Sequence, residues 1–97
     1  MKLPPLHALM CFESAARHLS MKKAAEELCV TSSAVSQQIA KLEDITRMRL
    51  FIRSPRSLEL TDEARIYLRA IRPAFSQIAE ATQRLMNEGK PNKITLS

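Results

Sequence analysis

The stretch from Ser20 to Leu42, SMKKAAEELCVTSSAVSQQIAKL, constrains this 97-residue chain more than any other. It reads as two short helices. Ala24, Ala25 and Leu28 give the first its apolar side, and Val35, Ile39 and Leu42, spaced four and three apart, fall on one face of the second. Cys29-Val30-Thr31 between them is too short for anything but a turn. Ser20 and Thr31 stand where an N-cap hydroxyl accepts from an orphan backbone N–H. Ala25 is small, so two helices can cross closely over it. This is the spacing of a helix-turn-helix.

The second helix then has an outward face. At about 100° per residue, Ser33, Ser36, Gln37, Ala40 and Lys41 point away from the apolar stripe. These are short hydroxyls, an amide and a cation, with no carboxylate until Glu43 and Asp44. An ordinary solvated face mixes Glu with Lys. A face that enters a DNA groove needs small polar groups that reach base edges and phosphates. Ser32 joins this set at the helix start, and Gln37 is suited to a bidentate contact with adenine.

Charge and composition agree with an anionic partner and exclude several classes. Fifteen basic and ten acidic residues leave a formal net charge of +5. Apolar residues are 45% of the chain, enough for the core of one small domain. A single Gly leaves no phosphate-cradling loop, and with few aromatics it argues against an all-β fold. No nucleophile–base pair stands out, so an enzyme is not expected. Cys11 and Cys29 are no disulfide framework and read as small buried thiols. His7 and His18 lack metal-ligand spacing with them, so neither a metal nor a cofactor is expected. No apolar run is long enough to span a membrane.

Around the central stretch the remaining elements follow. Pro4-Pro5 opens a first helix, in which Leu6, Leu9, Phe12 and Ala16 form a stripe expected to be buried, with Leu19 closing onto the next helix. Lys22 and Lys23 sit in the first turn of the second helix, where only a nearby anion offsets their opposition to the helix dipole. Leu50 to Arg53 and Leu58 to Leu60 read as short strands, and Ser54-Pro55-Arg56-Ser57 as the turn of a hairpin. Four arginines and no acid lie between Arg47 and Arg56, placed for phosphates and a narrow minor groove.

Thr61 caps a long final helix, with Asp62 and Glu63 in its first turn. Ala64, Tyr67, Ile71, Ala74, Ile78, Ala81 and Leu85 recur at alternating spacings of three and four, and Leu68 and Phe75 widen the stripe. That heptad seam is longer than a small domain needs for its own core, so a second copy of the helix is the expected partner; packing within one chain is the alternative. Pro73 should bend the helix, and Gly89 with Pro91 should end it. Lys93 to Ser97 then begins a strand-like run.

From Leu3 to about Leu85 the chain resembles the N-terminal DNA-binding region of LysR-type transcriptional regulators. The segments LPPLHALMCFESAARHLS, KKAAEELCVTSSAVSQQIAKLED and RLFIRSPRSLELTDEA carry the resemblance in order. LPPL and YLRAIRPAFSQIAEATQRL resemble its glycine-cleavage-activator-like subgroup. The resemblance implies a mainly α fold. Residues 1–61 would be a winged helix-turn-helix of three helices and a two-stranded wing. Residues 62–89 would be a linker and dimerisation helix, and 90–97 a hinge leading into an effector-sensing domain. The chain would then be a fragment or natural truncation, sensing a small molecule only through a domain it lacks.

The implied function is sequence-specific binding of double-stranded DNA in the bacterial cytoplasm, at the nucleoid. The recognition helix would lie in the major groove and the wing at the minor groove. A homodimer would sit on an inverted repeat, with a tetramer possible in the full-length protein. Lys23 stands where the family usually has a backbone-touching Arg, and Arg53 is the arginine of its LF-x-R motif, with Arg56 at the wing tip. With them, Ser20, Thr31, Ser32, Ser33, Ser36, Gln37 and Lys41 are the expected DNA contacts. Tyr67, Ile71, Ala74, Phe75, Ile78, Ala81 and Leu85 are the expected dimer interface.

One departure from the family is physical. Ile45-Thr46-Arg47-Met48 stands where Trp-Leu-Gly-Val is common, so Arg47 either takes up a left-handed conformation or the helix ends differently. A structural adaptor held by the long helix is the rival reading. It accounts for the heptads but not for the acid-free face or the arginine-rich hairpin.

Overall fold

Hydroxyl caps and left-handed helix ends divide the chain into its elements. In the computed structural model, which describes residues 1–89, these are α1 (Leu6–His18), α2 (Met21–Leu28), α3 (Ser32–Thr46), β1 (Phe51–Ser54), β2 (Ser57–Leu60) and α4 (Asp62–Glu88). The strand-like run Lys93 to Ser97 and Pro91 lie outside the described residues. Ser20 caps α2 by accepting from Lys23 N at 3.0 Å, and Thr31 caps α3 by accepting from Ala34 N at 3.0 Å. Thr61 accepts from Ala64 N at 3.2 Å and donates to the Arg49 carbonyl at 2.7 Å, so one hydroxyl starts α4 and ties it to the root of the hairpin.

The three C-terminal caps are the unexpected local feature. Leu19, Cys29 and Arg47 all adopt the left-handed conformation, with φ of 51°, 59° and 60°. Glycine normally holds such positions, and an L side chain there costs roughly 1–2 kcal/mol. Each cap recovers part of that through a backbone bond; the N–H of Arg47 donates to the Glu43 carbonyl at 2.8 Å. Arg47 therefore accepts the strain, and α3 ends where a glycine would have ended it. By contrast Gly89, which ends α4 by donating to the Leu85 carbonyl, has an ordinary φ of −87°.

The core forms where α1, α3 and the first half of α4 meet. Phe12, Val35, Ile39, Leu42 and Leu50 are all at most 1% exposed. Ala8, Ala15, Ala24, Ala25 and Ala64 fill the close approaches between helices. Phe12 stacks on Tyr67 with ring centroids 5.8 Å apart and meets Phe51 edge-on at 5.7 Å, joining α1 to α4 and to β1. The strands pair antiparallel, Phe51 with Leu60 through Ser54 with Ser57, and leave Pro55-Arg56 as the turn. Proline fixes its own φ, and Arg56 has no positive φ, so the turn is neither a type II nor a primed one.

Three expectations are corrected. Leu6 is 54% exposed rather than part of the buried stripe, because it lies at the open end of α1. There it lines an apolar groove with Met10, Phe75, Ile78 and Ala79. Leu19 is half exposed, its side chain turned outward by the left-handed cap. Cys29 is exposed for the same reason, whereas Cys11 is buried, and burial pushes its thiol pKa up. The heptad stripe of α4 also divides. Ile71 is buried, and Tyr67 and Phe75 pack against the same core, whereas Ala74, Ile78, Ala81 and Leu85 are exposed. The helix runs unbroken through Pro73, close to this division.

Charge links the helices on the far side of α1. Glu27 on α2 accepts from Arg17 at 2.8 Å, from the buried Ser14 hydroxyl, and lies 3.1 Å from His18 Nε2. Glu13 accepts from Arg17 at 3.1 Å and from Arg72 of α4 at 3.4 Å. Arg17 first, and then Ser14, hold the Glu27 carboxyl down at about 2, and Glu13 above all raises the pKa of Arg17.

Two outcomes follow for stability. Arg47→Gly should raise the free energy of unfolding by about 0.5–1 kcal/mol by relieving the left-handed strain, net of the backbone entropy that glycine adds to the unfolded chain. A lowered denaturation midpoint would show the strain to be absent. Glu27 has a depressed folded pKa, so its contribution is complete above the ordinary carboxylate range and is lost as pH falls through about 2. The stability gap between wild type and Glu27→Gln should close as pH falls from about 5 to about 2. A gap that stays constant in acid melts would contradict this.

Candidate nucleic-acid interface

The exposed side of α3 is built by the burial of its other side. Val35, Ile39 and Leu42 are at most 1% exposed, and this rotation turns Ser33, Gln37 and Lys41 into solvent, each one turn from the next. Ala40 is exposed beside them and Ser36 is half-buried. Ser32 is exposed in the first turn, where N–H groups without helical partners point outward and the helix dipole favours an anion. Thr31 is exposed, but its hydroxyl is engaged in capping; Ser20 is likewise a cap, with its Oγ on Lys23 N. Lys23 and Lys22 are both exposed at the start of α2.

The hairpin stands beside this face, and α3 holds it there. Arg53 on β1 donates from Nη2 to the Ser36 hydroxyl at 2.7 Å. Farther down α3, a Glu43 carboxylate oxygen accepts from the backbone N–H groups of Leu50 and Phe51 at 2.8 and 3.4 Å. At the tip, Ser54 Oγ accepts from Ser57 N at 3.1 Å, which pins the turn and leaves Arg56 exposed. Arg47 and Arg49 are exposed at its root. The structure thus brings Ser33, Ser36, Gln37, Lys41 and Arg53 together across two elements. Arg56 sits at the free end of the hairpin, and Lys23 at the start of α2.

Sequence reading missed the work of Glu43. It took this residue as an acid at the helix end, yet it is the anchor of the wing. The only local signal was a carboxylate next to the core residue Leu42. The Ser36–Arg53 bridge spans seventeen residues and the Glu13–Arg72 pair fifty-nine. Neither has a periodic signature. Among the described residues no three His, Cys, Asp or Glu side chains are grouped to hold a metal ion, and no helix is long and apolar enough to cross a membrane.

Known proteins resemble this chain in sequence and fold. Residues 6–65 match the model for the bacterial regulatory helix-turn-helix protein of the lysR family. Over 96 residues the chain is 50% identical to the glycine cleavage system transcriptional activator of Escherichia coli K12, covering 99% of this chain and 32% of that protein. It is 55% identical over 74 residues to the HTH-type transcriptional activator AmpR of Citrobacter koseri, covering 76% of this chain and 26% of that one. The chain therefore spans a third or less of the length of these curated relatives. Among solved structures, Vibrio fischeri DarR in complex with DNA aligns with a TM-score of 0.77 at 26% identity, covering 90% of this chain and 30% of that one. A Corynebacterium glutamicum OxyR mutant aligns with a TM-score of 0.84 over 92% of this chain and 29% of that one; at 20% identity it is a likeness of fold alone. With more than half of its residues matched by the family model, the chain belongs to the LysR family of bacterial regulatory helix-turn-helix proteins.

Proposed function

We propose that this chain is the sequence-reading part of a LysR-type transcriptional regulator and binds double-stranded DNA in the bacterial cytoplasm. The observation that carries the reading is the acid-free exposed face of α3, with the arginine-bearing hairpin fixed beside it. The related proteins are named as transcriptional activators, and DarR was solved with DNA, which supports the reading.

In this account α3 lies in the major groove. Gln37 and Ser33 face base edges, and Lys41, Lys23 and Arg53 meet phosphates. The N-terminus of α3 with Ser32 takes a further phosphate. Arg56 enters the minor groove, whose negative potential is strongest in narrow A·T-rich segments. Ser20 and Thr31 serve by capping, which fixes the backbone that approaches the DNA. Residues 1–61 together with the first half of α4 form the reading unit. Any effector response belongs to a sensing domain, and any tetramer to the full-length protein.

The second half of α4 is the dimerisation element. Ile78 and Leu85 are 55% and 72% exposed on the face that also carries Ala74 and Ala81. This face continues the apolar groove of Leu6, Met10 and Phe75 beyond the end of the domain. Alternating large and small residues let two helices approach closely. A two-fold pair reads an inverted repeat and multiplies the discrimination of one domain.

Binding to duplex DNA should weaken steeply with salt, with a log–log slope of roughly −4 to −10 for a dimer. A flat response between low and moderate salt would remove the proposal. Gln37→Ala should change base preference by about 1–3 kcal/mol, and Lys23→Ala should weaken all sites alike. Uniform loss in both would reduce Gln37 to a positioning role. Ile78→Glu should remain folded by circular dichroism, sediment as a monomer and bind an inverted repeat no better than a half-site. A dimeric Ile78→Glu protein would place the interface elsewhere.

A further inference from the structure

The bridge between Arg53 and Ser36 is the one hydrogen bond between two side chains that joins the wing to α3 among the described residues. The guanidinium Nη2 donates to Ser36 Oγ at 2.7 Å. Arg53 is exposed, and the bond to Ser36 is the one hydrogen bond its guanidinium makes among the described residues. An untethered arginine loses conformational entropy when it binds an anion, and one already held pays much less at that moment. Glu43 lies about two turns farther along the same side of α3 and accepts from Leu50 N and Phe51 N at the root of the wing. The wing is therefore mounted on α3 at two points, at its root and at Arg53.

We infer that Ser36 serves DNA binding through Arg53. It is a positioning residue that holds the wing guanidinium against α3, so that helix and wing meet the phosphate backbone as one preorganised unit. This rests on the DNA-binding reading above and deepens it. A hydroxyl at position 36 is required because it accepts from the guanidinium. Its size and its place on the helix do not by themselves specify a base.

The test is a double-mutant cycle on a fluorescent duplex of mixed sequence, with wild type, Ser36→Ala, Arg53→Ala and the double variant titrated at several salt concentrations. Ser36→Ala should weaken binding about tenfold at low salt, as for a lost hydrogen bond to a charged group. Arg53→Ala should weaken it at least as much and reduce the magnitude of the salt slope by about one. The double variant should bind no worse than Arg53→Ala alone, and Ser36→Thr should restore affinity. The Arg53 side-chain N–H signal of the free protein should be more mobile in Ser36→Ala, by NMR relaxation, with an unchanged melting temperature. Independent losses that multiply in the double variant would overturn the inference, leaving Ser36 as a direct DNA contact. An Arg53 side chain equally ordered without the hydroxyl would also overturn it, and that readout needs no DNA. Failure of the wild type to bind the duplex in a salt-dependent way would instead remove the DNA reading, and this inference with it.

Discussion

The arrangement of the molecule depends on the burial of Phe12 between two aromatic neighbours. Its ring is fully enclosed, stacked on Tyr67 of α4 and edge-on to Phe51 of the wing. Two elements that would otherwise hinge on short connections, the wing and α4, are thereby fixed around α1. Truncating a buried aromatic costs about 3–5 kcal/mol, a large share of the stability of a domain this small. Around that ring, alanines at Ala15, Ala24 and Ala25 let the helices cross closely enough for Val35, Ile39 and Leu42 to seal the core. The rotation of α3 that this sealing demands is what presents Ser33, Gln37 and Lys41 to solvent. The recognition face is thus a consequence of the core.

Strain and its compensation shape the edges of the site. Three helices end at non-glycine residues in the left-handed conformation, and two of these, Cys29 and Arg47, bracket α3. Glycine would relieve the strain, but at Arg47 it would also remove a cation beside the recognition helix. On the proposed DNA-binding reading, a little stability is traded for an added positive charge at the surface. The Glu43 carboxylate acts in the opposite sense. It lies on α3, yet two backbone N–H groups of the wing engage it, so its charge is spent on holding the hairpin.

What could be read from the sequence was what is encoded locally. The caps at Ser20, Thr31 and Thr61, the stripe of Val35, Ile39 and Leu42, and the turn at Pro55-Arg56 each depend on residues within a few positions of one another. The structure has them as expected. The resemblance to the LysR family added the long helix and the wing as parts of one architecture. Periodicity failed where it could not say which surface an apolar face meets. The stripe of α4 looked like one seam, but Tyr67, Ile71 and Phe75 turn into the domain, whereas Ala74, Ile78, Ala81 and Leu85 stay exposed. Leu6 failed in the reverse direction, its helical spacing intact but its turn lying past the end of the core. The polar ties of the site, Ser36 with Arg53 and Glu43 with Leu50, join residues whose nearness exists only in the folded chain.

The central claim is that α3 and the wing read duplex DNA, and that two copies do so about a two-fold axis. Selection of bound sites from a pool of random duplexes, followed by sequencing, tests this most directly. The account predicts enrichment of an inverted repeat whose half-sites are separated by about one helical turn, centre to centre, with A·T-rich positions where the wing tips reach the minor groove. An asymmetric single half-site, or a pool that stays random through successive rounds, would contradict it.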